Sequence, residues 1–334
     1  MTRIQDMGQR AAVVLCATAA LMGPGSLAGA AAWTLPRPDA LVYIANLDSD
    51  TVSVVDSGTD TVVGSVPVGD GPDSVAVSPD GSRVYVTNSA ADTVSVIDAR
   101  TRTVIATVAV GDEPSRVTVS PDNRNVYVAN VRSDNVSVIS TRTHSVTDTI
   151  PVGDAPLGVA VTPDGCTLYV ANAASGTVSV VRTATGTVTG TIPVGSGPTA
   201  LVLTPDGRNL YVSNLTSDDV SVVDVHDGAE SDRIPVGDQP AGIGVGPDGR
   251  QVYVANIGSD NVSVISTRGR AVTDTIAVGD GPNGLAVSPG GSQVYVSNFN
   301  SNTLSVIDTS KARAVDAVAV GDGPTGVAAA QKKA

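Results

Sequence analysis

The tyrosines of this chain recur at a fixed interval, and that interval constrains the fold more than any other feature of the sequence. Consecutive tyrosines lie 42 residues apart, and an asparagine follows each of them three residues later. The seven tyrosines are Tyr43, Tyr85, Tyr127, Tyr169, Tyr211, Tyr253 and Tyr295. No insertion breaks this register as far as the C-terminus, so the chain is one structural unit repeated along its length.

Each repeat contains four short apolar stretches separated by turn residues. In the repeat that begins at Pro114 these stretches cover 116–120, 125–130, 135–140 and 145–152. Gly, Pro, Asn, Asp and Ser fill the connections, and strands of this length and spacing predict an all-β array. Val dominates the strands, and its β-branched side chain suits a packed sheet better than a helix. Four antiparallel strands in about 40–45 residues are typical of a propeller blade.

The two ends of the repeated region are complementary fragments of one blade. The region opens at residue 40 with a second strand that lacks a first strand, and it closes over 324–330 with a first strand that lacks a second. We therefore predict a seven-bladed β-propeller of four-stranded antiparallel blades, in which the C-terminal strand completes the N-terminal blade and closes the ring. The alternative, an open β-solenoid, needs capping repeats that the sequence lacks.

The first 32 residues differ from the repeats and have the layout of a secretory signal peptide. Arg3 and Arg10 precede an apolar run over 11–22, and small residues with Ala-x-Ala cleavage sites follow it. The run is too short to span a membrane, and a buried core helix is the alternative interpretation. We predict a signal peptide over 1–32, a linker over 33–39, the propeller over 40–330 and a tail over 331–334. The mature protein is then secreted or extracytoplasmic, without a membrane span.

The charge of the chain excludes some partners. The net charge is −13, and nearly all acidic residues are Asp, which turns favour because its side chain can bond the backbone two residues on. An acidic chain without a basic patch is not expected to bind nucleic acid or to attach to an anionic membrane surface. Removal of the signal peptide leaves Cys166 as the one cysteine, so the mature chain cannot form an internal disulfide. We expect a monomer.

The repeat "VYVTNSAADTVSVIDARTRTVIATVAVGDEPSRVTVSPD" over 84–122 resembles the YVTN β-propeller repeat, whose tetrapeptide stands here at 85–88. The resemblance covers about residues 40–330, and the other copies read YIAN, YVAN or YVSN. It implies a seven-bladed propeller that is often exported and occurs in surface-layer and other extracytoplasmic proteins, with a presumed role in binding or surface structure. Lactonases and some lyases share this architecture, so the fold alone does not exclude an enzyme.

Function is expected where the repeats differ, in loops at one face of the ring. We expect two kinds of loop to share that face, namely the GDGP loops (69–72 and its equivalents) and the loops after each repeated asparagine. There the third blade carries Arg116, where the other copies have Ser, Gly or Ala, and Arg132 in its next loop. Glu113, Asp73 and Phe299, the one Phe of the chain, are further deviations on this face.

These five residues are the candidate ligand-binding set. Two arginines beside an apolar rim are suited to an anionic or sugar-like ligand. The alternative is that Arg116 forms a surface ion pair with Glu113 or Asp73.

The Asp of each "VGD" turn forms a second repeated set that would ring one mouth of the channel. The set consists of Asp70, Asp112, Asp154, Asp238, Asp280 and Asp322, with Ser196 in the remaining blade. Such a ring is either a cation site or a row of turn caps. We favour turn capping and predict no metal and no cofactor.

Catalytic signatures are sparse. His144 and His226 fall in different blades on the opposite face, so we expect neither a shared metal nor a nucleophile–base pair. The sequence has no nucleophile elbow and no glycine-rich phosphate loop. We therefore predict no catalytic residues and favour an exported, non-catalytic propeller that binds a protein or glycan partner at the cell surface. The alternative is a propeller enzyme of lactonase or lyase type, with its site at the mouth of the central channel.

Overall fold

The computed structural model describes residues 40–332. The predicted signal peptide over 1–32, the linker over 33–39 and the last two residues of the predicted tail lie outside the described residues. Within 40–332 the chain forms 28 strands in seven sheets of four antiparallel strands each. The one helical segment in this range is a 3-10 turn, Ile257–Ser259. Across the same residues the structure contains no helix with both the length and the apolar character needed to cross a membrane.

Each sheet is one blade, and its first strand is the innermost. The first strands of blades 2 to 7, followed by that of blade 1, are Pro72–Val77 (β4), Pro114–Val119 (β8), Pro156–Val161 (β12), Pro198–Leu203 (β16), Pro240–Val245 (β20), Pro282–Val287 (β24) and Pro324–Gln331 (β28). Each of these strands contacts the first strand of the next blade, and β28 contacts both β24 and β4. The seven inner strands therefore form a closed ring.

The other three strands of each blade follow outward in chain order. The second strands are Ala40–Asn46 (β1), Arg83–Asn88 (β5), Asn125–Asn130 (β9), Thr167–Asn172 (β13), Asn209–Asn214 (β17), Gln251–Asn256 (β21) and Gln293–Asn298 (β25). The third strands are Thr51–Asp56 (β2), Thr93–Asp98 (β6), Asn135–Ser140 (β10), Thr177–Arg182 (β14), Asp219–Asp224 (β18), Asn261–Ser266 (β22) and Thr303–Asp308 (β26). The outer strands are Thr61–Pro67 (β3), Thr103–Ala109 (β7), Ser145–Pro151 (β11), Thr187–Pro193 (β15), Ala229–Pro235 (β19), Ala271–Ala277 (β23) and Arg313–Ala319 (β27).

The ring closes through blade 1, as the complementary ends of the sequence predict. Strand β28 pairs antiparallel with β1, from Ala40 opposite Gln331 to Asn46 opposite Pro324. The strand continues to Gln331, one residue beyond the predicted end of the propeller, and Lys332 then forms an ion pair of 3.0 Å with Asp56. The prediction of seven four-stranded blades closed by the C-terminal strand is confirmed.

The hydrophobic core lies between the blades. One cluster joins Tyr85 and Val96 of blade 2 to Val117 and Val126 of blade 3, and corresponding clusters lie between the other pairs of neighbours. Both faces of a blade are therefore covered, which explains why the second and third strands are apolar along most of their length instead of alternating. Burial raises the pKa of Tyr85 above its ordinary value, as expected for a phenol held between two sheets.

The asparagine that follows each tyrosine binds the blade together from within. In blade 2 the Asn88 side-chain nitrogen donates to Thr93 Oγ1 at 3.0 Å and to Ser95 Oγ at 2.9 Å. Gly69 covers this amide so closely that a Cβ there would lie 2.7 Å from the amide nitrogen. The same pairing of glycine, asparagine and serine recurs in all seven blades. The repeated residues are thus accounted for by packing and hydrogen bonding.

Candidate functional site

The GDGP loops and the loops after the repeated asparagines lie together at one end of the ring, which we call the upper face. The Ser89 nitrogen donates to the Gly71 oxygen at 2.7 Å, and the Gly71 nitrogen donates to Asp50 Oδ1 at 2.9 Å. Ser89 belongs to blade 2 and Asp50 to blade 1, so each GDGP loop connects two neighbouring blades. The variable residues of these loops are therefore held on a continuous hydrogen-bonded rim.

The turn-capping carboxylates of the upper face come from the loops after the asparagines. Each caps a backbone N–H of the neighbouring GDGP loop at 2.8 to 2.9 Å, as the Asp50 carboxylate does. The five carboxylates are those of Asp50, Asp92, Asp134, Asp218 and Asp260. The side chains of the "VGD" aspartates cap no backbone N–H of the described residues, contrary to the expected turn capping, and two of them accept amide hydrogen bonds, Asp280 from Asn300 and Asp322 from Asn302. Across residues 40–332 no three His, Cys, Asp or Glu side chains are grouped so that they could hold a metal ion.

A cavity of about 310 Å³ opens at the centre of the upper face, and residues from all seven blades line it. One ring of lining residues follows the repeated asparagines and consists of Leu47, Ser89, Val131, Leu215 and Ile257. The second ring follows the proline that opens each first strand and consists of Asp73, Ser115, Leu157, Thr199, Ala241 and Asn283. Pro114, Glu113 and Arg116 complete the lining on the side of blade 3. The cavity is therefore the upper mouth of the central channel.

The structure brings three of the five candidate residues to this cavity and leaves two outside it. Asp73, Glu113 and Arg116 line the cavity. Arg132 lies on the rim with its side chain 77% exposed. Phe299 is half-buried on the same face, where its ring lies near Gly323 in the loop that precedes β28.

The ion pair on this face involves Arg132 rather than Arg116. Arg132 Nε lies 2.5 Å from Glu113 Oε2. The backbone favours the pairing of Glu113 with Arg132. The Val131 nitrogen donates to the Glu113 oxygen at 3.0 Å, and this hydrogen bond places Arg132, the residue after Val131, beside Glu113. Asp73 Oδ2 accepts a hydrogen bond from Ser115 Oγ at 2.8 Å. Arg116 forms no hydrogen bond or ion pair with any residue of the described range, so its guanidinium remains available in the cavity.

Arg116 also occupies a position where the architecture resists side chains. The equivalent residues of four other blades are glycines, and a Cβ on them would lie far inside normal contact distance of the next blade's backbone. The distances to the nearest carbonyl oxygen are 2.9 Å at Gly158, 2.4 Å at Gly242, 2.0 Å at Gly284 and 2.8 Å at Gly326. A residue that breaks a local packing rule without forming a compensating contact marks a functional position. Arg116 is the residue of this chain that most clearly meets that description.

Some cavity residues escaped the sequence interpretation, although the sequence contains a signal for them. The residue after each strand-opening proline reads Asp73, Ser115, Leu157, Thr199, Ala241, Asn283 and Thr325 from blade to blade. The repeats are otherwise very similar, so a repeat position that holds six different residue types indicates a surface that packing does not constrain. Six of these seven residues line the cavity.

Comparison with known proteins agrees with this architecture. The sequence matches the family model described as lactonase, 7-bladed beta-propeller, over residues 30–194, 182–268 and 228–315. No curated protein matches the sequence.

Several solved structures share the fold. A chain of hydrazine synthase from Kuenenia stuttgartiensis is 26% identical with a TM-score of 0.74, and the match covers 85% of this chain and 99% of that one. A putative 6-phosphogluconolactonase from Bacteroides uniformis is 18% identical with a TM-score of 0.76, over 88% of this chain and 100% of that one. A functionally unknown protein from Desulfotomaculum acetoxidans is 20% identical with a TM-score of 0.79, over 88% and 99%. The family match spans most of the propeller, and the chain therefore belongs to the lactonase family of seven-bladed β-propellers.

Proposed function

We propose that this protein hydrolyses lactones in the cavity at the upper mouth of its channel. The family supports an enzyme that opens a cyclic ester, and the cavity supplies a small concave site of about 310 Å³. The observation that carries the proposal is Arg116, whose guanidinium has no partner among residues 40–332 and faces this cavity from a position where other blades have Gly, Ala or Ser. A cation without a counter-ion is suited to the negative charge that develops on a carbonyl oxygen.

The residues around Arg116 supply the other requirements of ester hydrolysis. Asp73 Oδ2 is held by Ser115 Oγ at 2.8 Å, which orients the carboxylate and leaves Oδ1 for a water molecule. Asp73 takes a proton from this water while the water oxygen bonds to the lactone carbonyl carbon, and Arg116 stabilises the resulting oxyanion. Collapse of the intermediate breaks the ring C–O bond, and the proton on Asp73 passes to the departing ring oxygen. The product is the open hydroxy acid, and Asp73 returns to its ionised form.

Proton release in a pH-stat assay tests this proposal directly, because each ring opening yields one carboxylic acid. We expect the wild-type protein to hydrolyse lactones and Arg116→Ala to lower kcat/KM by about 100-fold or more, the effect of removing one oxyanion donor. Asp73→Asn should lower kcat by about 100-fold, as expected for loss of a general base. Arg124→Ala is the matched control, since Arg124 belongs to the same blade and its side chain is 83% exposed beside Asp122, in a turn outside the cavity. Equal activity of Arg116→Ala and Arg124→Ala, or no hydrolysis by the wild-type protein, would refute the proposal.

A second candidate function uses the same face without catalysis. We propose as this alternative an exported YVTN-type scaffold that binds a protein or glycan partner at the cell surface. The layout of residues 1–32 supports export, and Arg132 and Phe299 favour a broader contact because both lie on the upper face outside the cavity. Paired Arg132→Ala and Phe299→Ala changes should abolish capture of such a partner, and undiminished capture by this variant would contradict the alternative. N-terminal sequencing of exported material tests cleavage after residue 30 or 32.

A further inference from the structure

We infer that the cavity selects an uncharged lactone with an alkyl substituent and excludes phosphorylated sugar lactones. This inference rests on the proposed lactone hydrolysis and adds the class of substrate. It is carried by three features of the described residues: the distribution of charge between the faces, the engagement of the cavity hydroxyls and the aliphatic rim.

The excess of carboxylates over cationic side chains is concentrated on the upper face of the propeller. Within residues 40–332 the loops of this face and the strand ends beside them carry fifteen carboxylates. The cationic side chains near them are Arg116, Arg132 and Arg233, and Arg233 is paired with Glu230 and lies 3.9 Å from Asp219. The carboxylates are those of Asp48, Asp50, Asp70, Asp73, Asp92, Asp112, Glu113, Asp134, Asp154, Asp218, Asp219, Asp238, Asp260, Asp280 and Asp322. Since Arg132 is paired with Glu113, Arg116 is the one unpaired cation of this face among the described residues.

A phosphate dianion is poorly matched to such a surface. Summed surface charge creates potentials of several kT, so an acidic mouth lowers the local concentration of anions as strongly as a basic one raises it. Phosphate recognition in proteins relies on several charge-assisted donors, and here Arg116 alone would have to supply them while also facing the reacting carbonyl. A neutral lactone meets neither difficulty.

The cavity hydroxyls are already engaged with the protein, which disfavours a polyhydroxylated ligand. Ser89 Oγ donates to the Gly71 oxygen at 2.8 Å, and Ser115 Oγ donates to Asp73. Thr199 Oγ1 lies 3.1 Å from Ser213 Oγ and 3.3 Å from the Pro240 oxygen. A sugar needs a partner for each hydroxyl that it buries, because unpaired polar groups cost free energy in an enclosed site. These hydroxyl groups form their hydrogen bonds with protein atoms of the cavity wall and are less available to a ligand.

Branched aliphatic side chains make up most of the remaining lining, beside Pro114, Ala241 and the amide of Asn283. Leu47, Val131, Leu157, Leu215 and Ile257 contribute to the cavity wall from five different blades. An alkyl chain that extends from the lactone ring along this wall gains about fourfold in kcat/KM for each methylene group that it buries. The combination of one unpaired cation, the carboxylate of Asp73 oriented by Ser115 and a largely aliphatic wall fits a cyclic ester with an apolar tail.

A substrate panel tests this inference on the full-length mature protein. We expect kcat/KM to rise about fourfold per methylene along a series of γ-lactones with substituents from methyl to pentyl. Glucono-δ-lactone and its 6-phosphate should be hydrolysed more slowly than the pentyl compound by about 100-fold or more, and a higher salt concentration should raise the rate for the phosphorylated compound alone. Leu157→Ser should flatten the chain-length dependence, so that its loss of kcat/KM relative to the wild-type protein grows from the methyl to the pentyl compound, with thermal melting to verify folding.

The possible failures of this inference and of the proposed function are distinguishable. Preference for the phosphorylated lactone, or rates independent of alkyl length, would overturn the inference while lactone hydrolysis stands. If no lactone is hydrolysed, the proposed function fails, and calorimetric binding of the corresponding alkyl-substituted lactams still measures the ligand preference. Lactam affinity that rises with chain length and weakens in Leu157→Ser supports the selected ligand class, and affinity independent of chain length overturns it. Should Leu157→Ser not fold, Leu215→Ser provides the same comparison from blade 5.

Discussion

Replacement of Gly284 by alanine tests the packing that holds the ring together. Gly284 lies on β24 in blade 7 and faces β28, the strand that closes the ring in blade 1. A Cβ at this position would lie 2.0 Å from the Thr325 oxygen and 3.0 Å from the Thr325 carbonyl carbon. Ordinary van der Waals contact begins at 3.4 Å, so the two inner strands must separate by more than an ångström to admit one methyl group.

The expected cost follows from this displacement. Overpacking of a well-packed core typically destabilises a protein by about 1–3 kcal/mol. Here the nearest obstacle is the Thr325 backbone, with Ser297 Oγ also at 3.0 Å, so we expect the upper part of that range. Alanine restricts the unfolded chain more than glycine does, and this effect offsets about 0.4–1 kcal/mol of the destabilisation. The net destabilisation of Gly284→Ala is then about 2 kcal/mol.

Gly190→Ala is the matched control for this substitution. Gly190 is also a strand glycine with an ordinary φ, but its nearest neighbour beyond the adjoining residues is Val180 at 3.9 Å. We expect the control to be stabilised by about 0.4–1 kcal/mol. Urea unfolding followed by circular dichroism measures both variants, and the gap of about 3 kcal/mol should also appear as a lower Tm for Gly284→Ala. Equal midpoints for the two variants would refute the claim that close approach of the inner strands selects small residues.

Three further outcomes are expected. A chain that ends before Pro324 loses the six register pairs between β1 and β28, worth about 6 kcal/mol at about 1 kcal/mol for each hydrogen bond, and an unchanged Tm would contradict ring closure. Burial raises the pKa of six interblade tyrosines above the ordinary value of 10.0. The contribution of these tyrosines to the stability of the fold is therefore complete below pH 10 and is lost as the pH rises further. In an alkaline titration, tyrosine absorbance and circular dichroism should then change together. Arg116→Ser, which installs the residue that Ser74 provides in blade 2, should raise the free energy of unfolding by about 0.5–1 kcal/mol while it removes lactone hydrolysis, and a loss of stability instead would show that Arg116 is structural.

The sequence predicts the fold closely because the strand and turn patterns that specify each blade are local and recur in seven repeats. In blade 3 the predicted strands over 125–130 and 135–140 have the observed bounds. The first strand begins at Pro114, two residues before its predicted start at 116, because Pro114 still pairs with Asn130 before the register shifts at Val117. The apolar run alone does not reveal that pairing. Turn chemistry, strand length and the complementary ends all depend on neighbouring residues, so a single sequence contains them.

The site is predicted only in part, because its membership depends on side-chain direction across the ring. Asp73 and Arg116 lie 43 positions apart in the sequence and on different blades, yet both reach the cavity. Arg132 is closer than Asp73 to Arg116 in the sequence, but it lies outside the cavity and forms an ion pair with Glu113. Glu113 has a left-handed backbone with a φ of 53°. The equivalent residues of all seven blades have this left-handed conformation and four of them are glycines, so the repeat indicates the backbone at Glu113. The repeat does not indicate which arginine the Glu113 carboxylate contacts, and the sequence therefore left the partner of Arg116 open.

The sequence by itself determined the number of blades, the position of the strands within them and the closure of the ring, since each follows from a period of 42 residues and from turn residues adjacent to each strand. Only the tertiary structure decided which variable residues share the channel mouth and which cation is left without a partner. The physical reason is distance: convergence of seven inner strands places residues from every blade around one cavity of about 310 Å³, and hydrogen bonds between loops set where each side chain points. Those contacts join residues far apart in the chain, and no local pattern encodes them.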